Sequence, residues 1–294
     1  MSLTEDDAAA APASPGAVSI FLKRIVKDPL GIMGLILVVG MIFSAVAADW
    51  IVPHDPNALN IRARLADPSF THWMGTDHLG RDVFSRVMMG GRIALWVALV
   101  STSVSLGIGL VLGLIAGYGP RWLDNFLILV FDAVRSFPTI MFALAMVTLM
   151  GPSLDTVIIV VIATSIPAYG RVVRTQTQAL KHNEFILAER SQGAGMFRVL
   201  WVHMLPNVIG PLLIIASMDI PVVVTIEAGL SFLGLGVKPP TPSWGSILYD
   251  GYSFIRNTPW IVIAGGIPLV LTTLGFTFLG ESLRDIFDPK LNRN

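Results

Sequence analysis

Six long stretches of this chain contain almost no Asp, Glu, Lys or Arg, and this one feature restricts its fold more than any other. They are Leu30–Ala48, Ile93–Pro120, Ser136–Leu154, Thr156–Gly170, Asn207 to about Ala228, and Asn257–Gly280. A helix needs about 20 predominantly apolar residues to cross roughly 30 Å of hydrocarbon. Inside that layer every backbone polar group must be satisfied by the protein itself. The runs therefore predict an all-α membrane protein with six transmembrane helices. The fourth run is short, and the fifth carries Asp219 and Glu227.

Composition agrees. Of 294 residues, 53% are hydrophobic and 14% charged, and the mean hydropathy is +0.70, far from a water-soluble domain. Lys plus Arg number 20 and Asp plus Glu number 20, so no net field draws the chain to nucleic acid. With no cysteine, disulfides, Cys-ligated metals and thiol nucleophiles are excluded. No Gly-x4-Gly-Lys-Ser/Thr stretch occurs, so the chain has no Walker A phosphate loop of its own. Neither a Ser/His/Asp signature nor a paired carboxylate suited to hydrolysis is found.

Orientation follows from the short loops. With the N-terminus inside, the inner segments hold Lys23, Arg24, Lys27, Arg121, Arg171, Arg174, Lys181, Arg190, Arg198, Arg284, Lys290 and Arg293. The outer ones hold Arg62, Arg64, Arg81, Arg86, Arg92, Lys238 and Arg256. Twelve against seven places both termini in the cytoplasm. Residues 1–19, acidic and rich in Ala and Pro, read as a disordered tail. Residues 20–92 form the first membrane helix and an outer loop, and 93–290 the main transmembrane domain. Ala45-Val46-Ala47 imitates a signal-peptidase site, but the long preceding segment predicts a retained helix.

In the second span Ser101, Ser105, Gly109, Gly113 and Gly117 put a small residue at every fourth position, so another helix backbone can approach closely. That helix belongs either to the same subunit or to a second one. Trp50, Trp122, Trp244 and Trp260 fall near predicted membrane edges, as an aromatic belt would.

About 36 residues, Arg171 to Pro206, separate the fourth and fifth spans on the cytoplasmic side and are too polar to cross. Asn183 is placed to cap a helix from Glu184 to Gln192, Gly193-Ala194-Gly195 breaks it, and Met196 to Met204 resumes helical periodicity before Pro206. Two short helices joined by a glycine elbow would present a knob below the membrane; an amphipathic loop lying on the bilayer is the alternative.

The segment Phe185-Ile186-Leu187-Ala188-Glu189-Arg190-Ser191-Gln192-Gly193, then nine residues, then His203-Met204-Leu205-Pro206-Asn207, resembles the EAA loop of binding-protein-dependent ABC importers. The family pattern is Glu-Ala-Ala, three residues, Gly, nine residues, Ile, one residue, Leu-Pro. This chain matches at Ala188, Gly193, Leu205 and Pro206, and departs at Leu187, at Glu189 in place of Ala, and at His203 in place of Ile. The segments His72–Arg86, Glu227–Gly236, Pro239–Gly245 and Leu283–Pro289 resemble the C-type permease subunit of dipeptide, oligopeptide and nickel importers.

The resemblance implies the type I ABC importer permease fold, with a coupling loop at 183–207 that docks into a cytoplasmic ATPase through Phe185, Ala188, Glu189, Gly193, Ala194, His203, Leu205 and Pro206. It implies no cofactor on this chain, with ATP and Mg on partner ATPase subunits, one or two in number. A sister permease subunit and an external solute-binding protein complete the machine, in the bacterial cytoplasmic membrane. Short peptides are the expected cargo, with nickel or another small solute as the alternative. An ion-coupled secondary transporter would need internally repeated halves, which the six spans lack.

Other residues have expected roles. Asp219 and Glu227, eight apart, lie within about 80° around a helix and should face protein or a water-filled path. Pro239, Pro240 and Pro242 stiffen the loop before Ser243-Trp244-Gly245, and Pro242, Ser243 and Trp244 either contact the binding protein or brace the loop. Asp132 is expected to neutralise Arg135, and Asp82 to pair with Arg86 on a short helix. His54, His72, His78, Asp55 and Asp77 share the outer loop, but their irregular spacing argues against a metal site.

Overall fold

Asp28 opens the first membrane helix by accepting a hydrogen bond from the Leu30 N–H at 3.1 Å, and Pro29 occupies the first turn, where no N–H is needed. The structure, a computed structural model, describes Ile25 and residues 28–287; the expected tail 1–19 lies outside them. Helix α1 spans Pro29–Val46 and a short α2 Ala48–Ile51. The outer loop then leads to α3 (Val83–Tyr118), α4 (Arg121–Arg135), α5 (Thr139–Met150) and α6 (Leu154–Leu180). Then follow α7 (Glu184–Ser191), α8 (Met196–Arg198) and a π-helical turn, Val199–Met204. The chain ends in α9 (Leu205–Phe232), α10 (Trp244–Ser253) and α11 (Trp260–Phe287). Among the described residues the sole β feature is one bridge between Thr76 and Asp82.

Among the described residues five helices are long and apolar enough to cross a membrane, and the pair α4 and α5 makes a sixth crossing if counted as one broken span. The run Ser136–Leu154 is thus not a single span. The two helices meet at 87°, and the twelve residues of α5 cover only about 18 Å. Ser136 caps α4, its hydroxyl donating to the Asp132 carbonyl at 2.7 Å. Pro138 has no N–H to continue the ladder and disfavours helical geometry at Phe137. The fourth run extends well past Gly170 to Leu180, and the expected short helix at Val83 is the first turn of the 36-residue α3.

The small-residue stripe packs inside the chain. A Cβ added at Gly109 would lie 2.6 Å from Tyr169 Cβ, at Gly113 2.6 Å from the Gly170 carbonyl oxygen, and at Gly117 2.6 Å from Thr177 Cβ. Helix α3 therefore lies against α6 at backbone contact distance, in the small-residue mode of membrane helices. Helix α1 packs on α11 in the same way, with Gly34 against Gly275 and Leu279.

The buried side chains form two groups. The outer one joins α3, α5, α6, α9, α10 and α11 around Trp244, Val97 and Val224. The other, with Leu114, Tyr169, Val173, Ile186, Met204 and Leu212, ties the loop 183–206 to α3, α6 and α9.

Candidate functional site

Three regions carry the candidate side chains. The first is the inner loop. Asn183 occupies the N-cap position of α7 but makes no side-chain cap hydrogen bond, which corrects the expected capping role. Gly193 adopts φ +85°, a left-handed conformation that favours glycine, and turns the chain from α7 into α8. The two halves meet where His203 Nε2 lies 3.3 Å from Glu189 Oε2. The Ala194 N–H donates to the Glu189 carbonyl at 3.0 Å. Ile186 is fully buried in the inner core, while Phe185, Leu187, Ala188, Gly193 and Pro206 are exposed. Glu189, Ala194, His203 and Leu205 are half-buried. The loop is a knob held from behind by Ile186, Val199, Leu200 and Met204, with Phe185, Leu187, Ala188 and Gly193 outward.

The second region is an outer charge network. Asp77 accepts from Arg81 Nε at 2.6 Å and lies 3.6 Å from Arg86 Nε. Arg81 also reaches Asp250 on α10 at 3.4 Å, and His78 Nδ1 is 3.7 Å from Asp250. Asp82 instead caps α3, accepting from the Ser85 N–H at 2.8 Å and from His72 Nδ1 at 2.9 Å. The expected Asp82–Arg86 pair is therefore replaced by Asp77–Arg86, because the cap geometry commits the Asp82 carboxylate to α3. Gly80, at φ +75°, brings this turn against the Asn60 backbone, where any Cβ would overlap the carbonyl. The histidines divide into His54–His72–Asp82 and Asp77–His78–Asp250, and Asp55 joins neither. Hydrogen bonds within the loop already engage most of their polar atoms. Burial pushes the Asp250 carboxyl above its ordinary value, with His78 and Arg81 acting in the opposite direction.

Pro242, Ser243 and Trp244, expected as one option to meet an external protein, are buried. The Ser243 hydroxyl accepts from the Ser246 N–H at 3.2 Å and starts α10. Trp244 packs against Gly90 and Gly91, and its Nε1 donates to the Val87 carbonyl at 2.9 Å. The segment is a brace, and Trp244 leaves the aromatic belt; Trp50, Trp122 and Trp260 remain exposed.

The third region is a cavity of about 390 Å³ between the α4–α5 break, α6 and α9. Asp219, Val222, Val223 and Ile226 line it from one stripe of α9, and Thr164, Ser165 and Ala168 from α6. Arg135 and Thr139 flank the break. The Asp219 carboxylate interacts with the Tyr169 hydroxyl, although not in the geometry of an ordinary hydrogen bond. Asp132 does not neutralise Arg135. It pairs with Arg171 of α6, as Asp124 pairs with Arg174, because α4 lies along α6 and turns those carboxylates toward it. Glu227 does not line the cavity. It is fully buried and accepts from the Ser231 hydroxyl at 2.8 Å. Arg135 is expected from the sequence only as the partner of Asp132, not on the cavity, and the break is signalled by Pro138 behind Ser136.

Residues 109–293 match the family model described as binding-protein-dependent transport system inner membrane component. Residues 18–68 match the N-terminal TM domain of oligopeptide transport permease C. The dipeptide transport system permease protein DppC of Alkalihalophilus pseudofirmus is 38% identical over 269 residues, covering 92% of this chain and 88% of the relative. The glutathione transport system permease protein GsiD of Pectobacterium atrosepticum is 38% identical over 272 residues, covering 92% and 90%. In fold, the chain is similar to the MetNI methionine ABC transporter in inward-facing conformations. The TM-score is 0.58 at 19% identity, over 69% of this chain and 97% of that one. The chain thus belongs to the inner-membrane components of binding-protein-dependent transport systems, as a multi-pass ABC importer permease.

Proposed function

We propose that this chain is one of two membrane subunits of an ATP-driven importer of short peptides. It works by alternating access in the bacterial cytoplasmic membrane, with both termini inside. The observation that carries the reading is the exposed knob at 185–206, fixed to α6 and α9 by the buried Ile186, Val199, Leu200 and Met204. A surface joined rigidly to two spanning helices can pass a partner's motion into the membrane. Phe185, Ala188 and Gly193 offer the contact, with Glu189, Ala194, His203, Leu205 and Pro206 shaping it. ATP and Mg are bound by the cytoplasmic partner, so this chain performs no chemistry.

Peptide cargo is favoured over nickel by the printed names of the relatives, one a dipeptide and one a glutathione permease. Asp219 faces the translocation path, while the buried Glu227 holds α9 near the outer end. On the outside, the exposed residues 238–241, backed by the Trp244 brace, meet the solute-binding protein. The test is ATPase activity of the co-expressed complex with its binding protein and a panel of peptides and nickel. Stimulation by peptides supports the reading, and stimulation by nickel alone overturns the cargo.

A further inference from the structure

Asp219, half-buried, and Arg135, exposed, line one cavity, yet they form no ion pair, and the Arg135 guanidinium has no hydrogen-bond or ion-pair partner among the described residues. Asp219 is the fifteenth residue of the 28-residue α9, about 21 Å from its inner end, so the cavity sits near mid-membrane depth. A carboxylate at that depth is costly unless something of complementary charge, or water, meets it. The crossing helix is broken beside them at Ser136–Pro138, and irregular backbone at membrane depth is tolerated where it lines a cavity. The Thr139 and Ser165 side chains add hydroxyls to the same walls. At about 390 Å³ the space falls within the roughly 300–1,000 Å³ of small-molecule sites.

We infer that this cavity is a transit site for a zwitterionic peptide, with Asp219 receiving the ammonium end and Arg135 the carboxylate end. The inference rests on the proposed peptide import and adds to it a site in the permease itself. A guanidinium holds a carboxylate through two parallel N–H donors. The Asp219 carboxylate accepts from an ammonium, which has three donors. Each added residue lengthens an extended peptide by roughly 3.5 Å, so two fixed charges set a preferred length.

The test is equilibrium binding of radiolabelled Ala-Ala to the purified complex of both permeases and the ATPase, without the binding protein. Asp219→Asn should weaken binding at least tenfold and leave N-acetyl-Ala-Ala unaffected. Arg135→Gln should weaken it equally and leave Ala-Ala amide unaffected. Asp219→Glu and Arg135→Lys should restore much of the loss. Because the chain has no cysteine, Ser165→Cys gives an independent readout that perturbs the fold little. Ala-Ala should slow its modification by a small methanethiosulfonate at least threefold, and the doubly capped peptide should not. Equal sensitivity of capped and free peptides, or no protection of the cysteine, overturns the site. If the wild-type complex with its binding protein takes up peptide while these results appear, the site alone fails; if it takes up none, the peptide-import reading fails.

Discussion

His203 Nε2 lies 3.3 Å from Glu189 Oε2, and these are two of the three positions where the loop departs from the family pattern, with His in place of Ile and Glu in place of Ala. Two departures from the pattern are thus one substitution in space, a polar contact across the glycine elbow where an apolar one is expected. With side chains 18% and 30% exposed, the pair is screened in part, and its coupling should be about 0.5–1 kcal/mol. Glu189→Ala and His203→Ile should each lower peptide-stimulated ATPase activity, and the double variant should lose less than the two losses summed. A double-mutant cycle on the assembled complex checks this; strict additivity would deny the contact a role.

The loop separates contact from anchorage. Ala188→Trp, at an exposed position, should block co-purification of the ATPase while leaving the permease melting temperature unchanged. Ile186→Ala should do the reverse in order, loosening the loop at a cost of about 2–5 kcal/mol to its packing. Protease sensitivity of residues 183–207 reports the difference.

At Gly113 the α3–α6 interface admits no side chain. Gly113→Leu places atoms against the Gly170 carbonyl oxygen and Val173 and should destabilise the chain by at least the about 1–3 kcal/mol of an overpacked core. Detergent thermostability should fall, and Gly107→Leu, in open space on the same helix, should not change it.

Burial raises the Asp250 carboxyl above its ordinary value of 3.8. The folded chain therefore holds that proton more tightly than the unfolded one. The contribution is fully present below the unfolded value and lost as pH rises through the folded one. Asp250→Asn removes the titration, so the melting-temperature difference, variant minus wild type, should grow more positive on moving up from about pH 4. A flat difference would show that His78 and Arg81 offset the burial.

Much of this was legible in order along the chain, because apolar runs, the Gly193 elbow and the small-residue stripe are local patterns. What escaped was set by long-range geometry. The run at Ser136–Leu154 is free of charge, but the absence of charge says nothing of the N–H missing at Pro138. Asp132 has Arg135 three residues away, yet meets Arg171 because α4 turns that face to α6. Trp244 reads as a belt residue until Gly90 and Gly91 open a slot for its indole. The cavity combines residues from four helices, and only Asp219 among its charged residues stood out as a path candidate.

The most direct test of the account is uptake of a radiolabelled dipeptide into proteoliposomes containing the whole complex and its binding protein. Uptake should require ATP, persist when ionophores collapse the ion gradients, and fall at least tenfold with Ala188→Trp. Uptake without ATP, or uptake abolished by the ionophores, would contradict it.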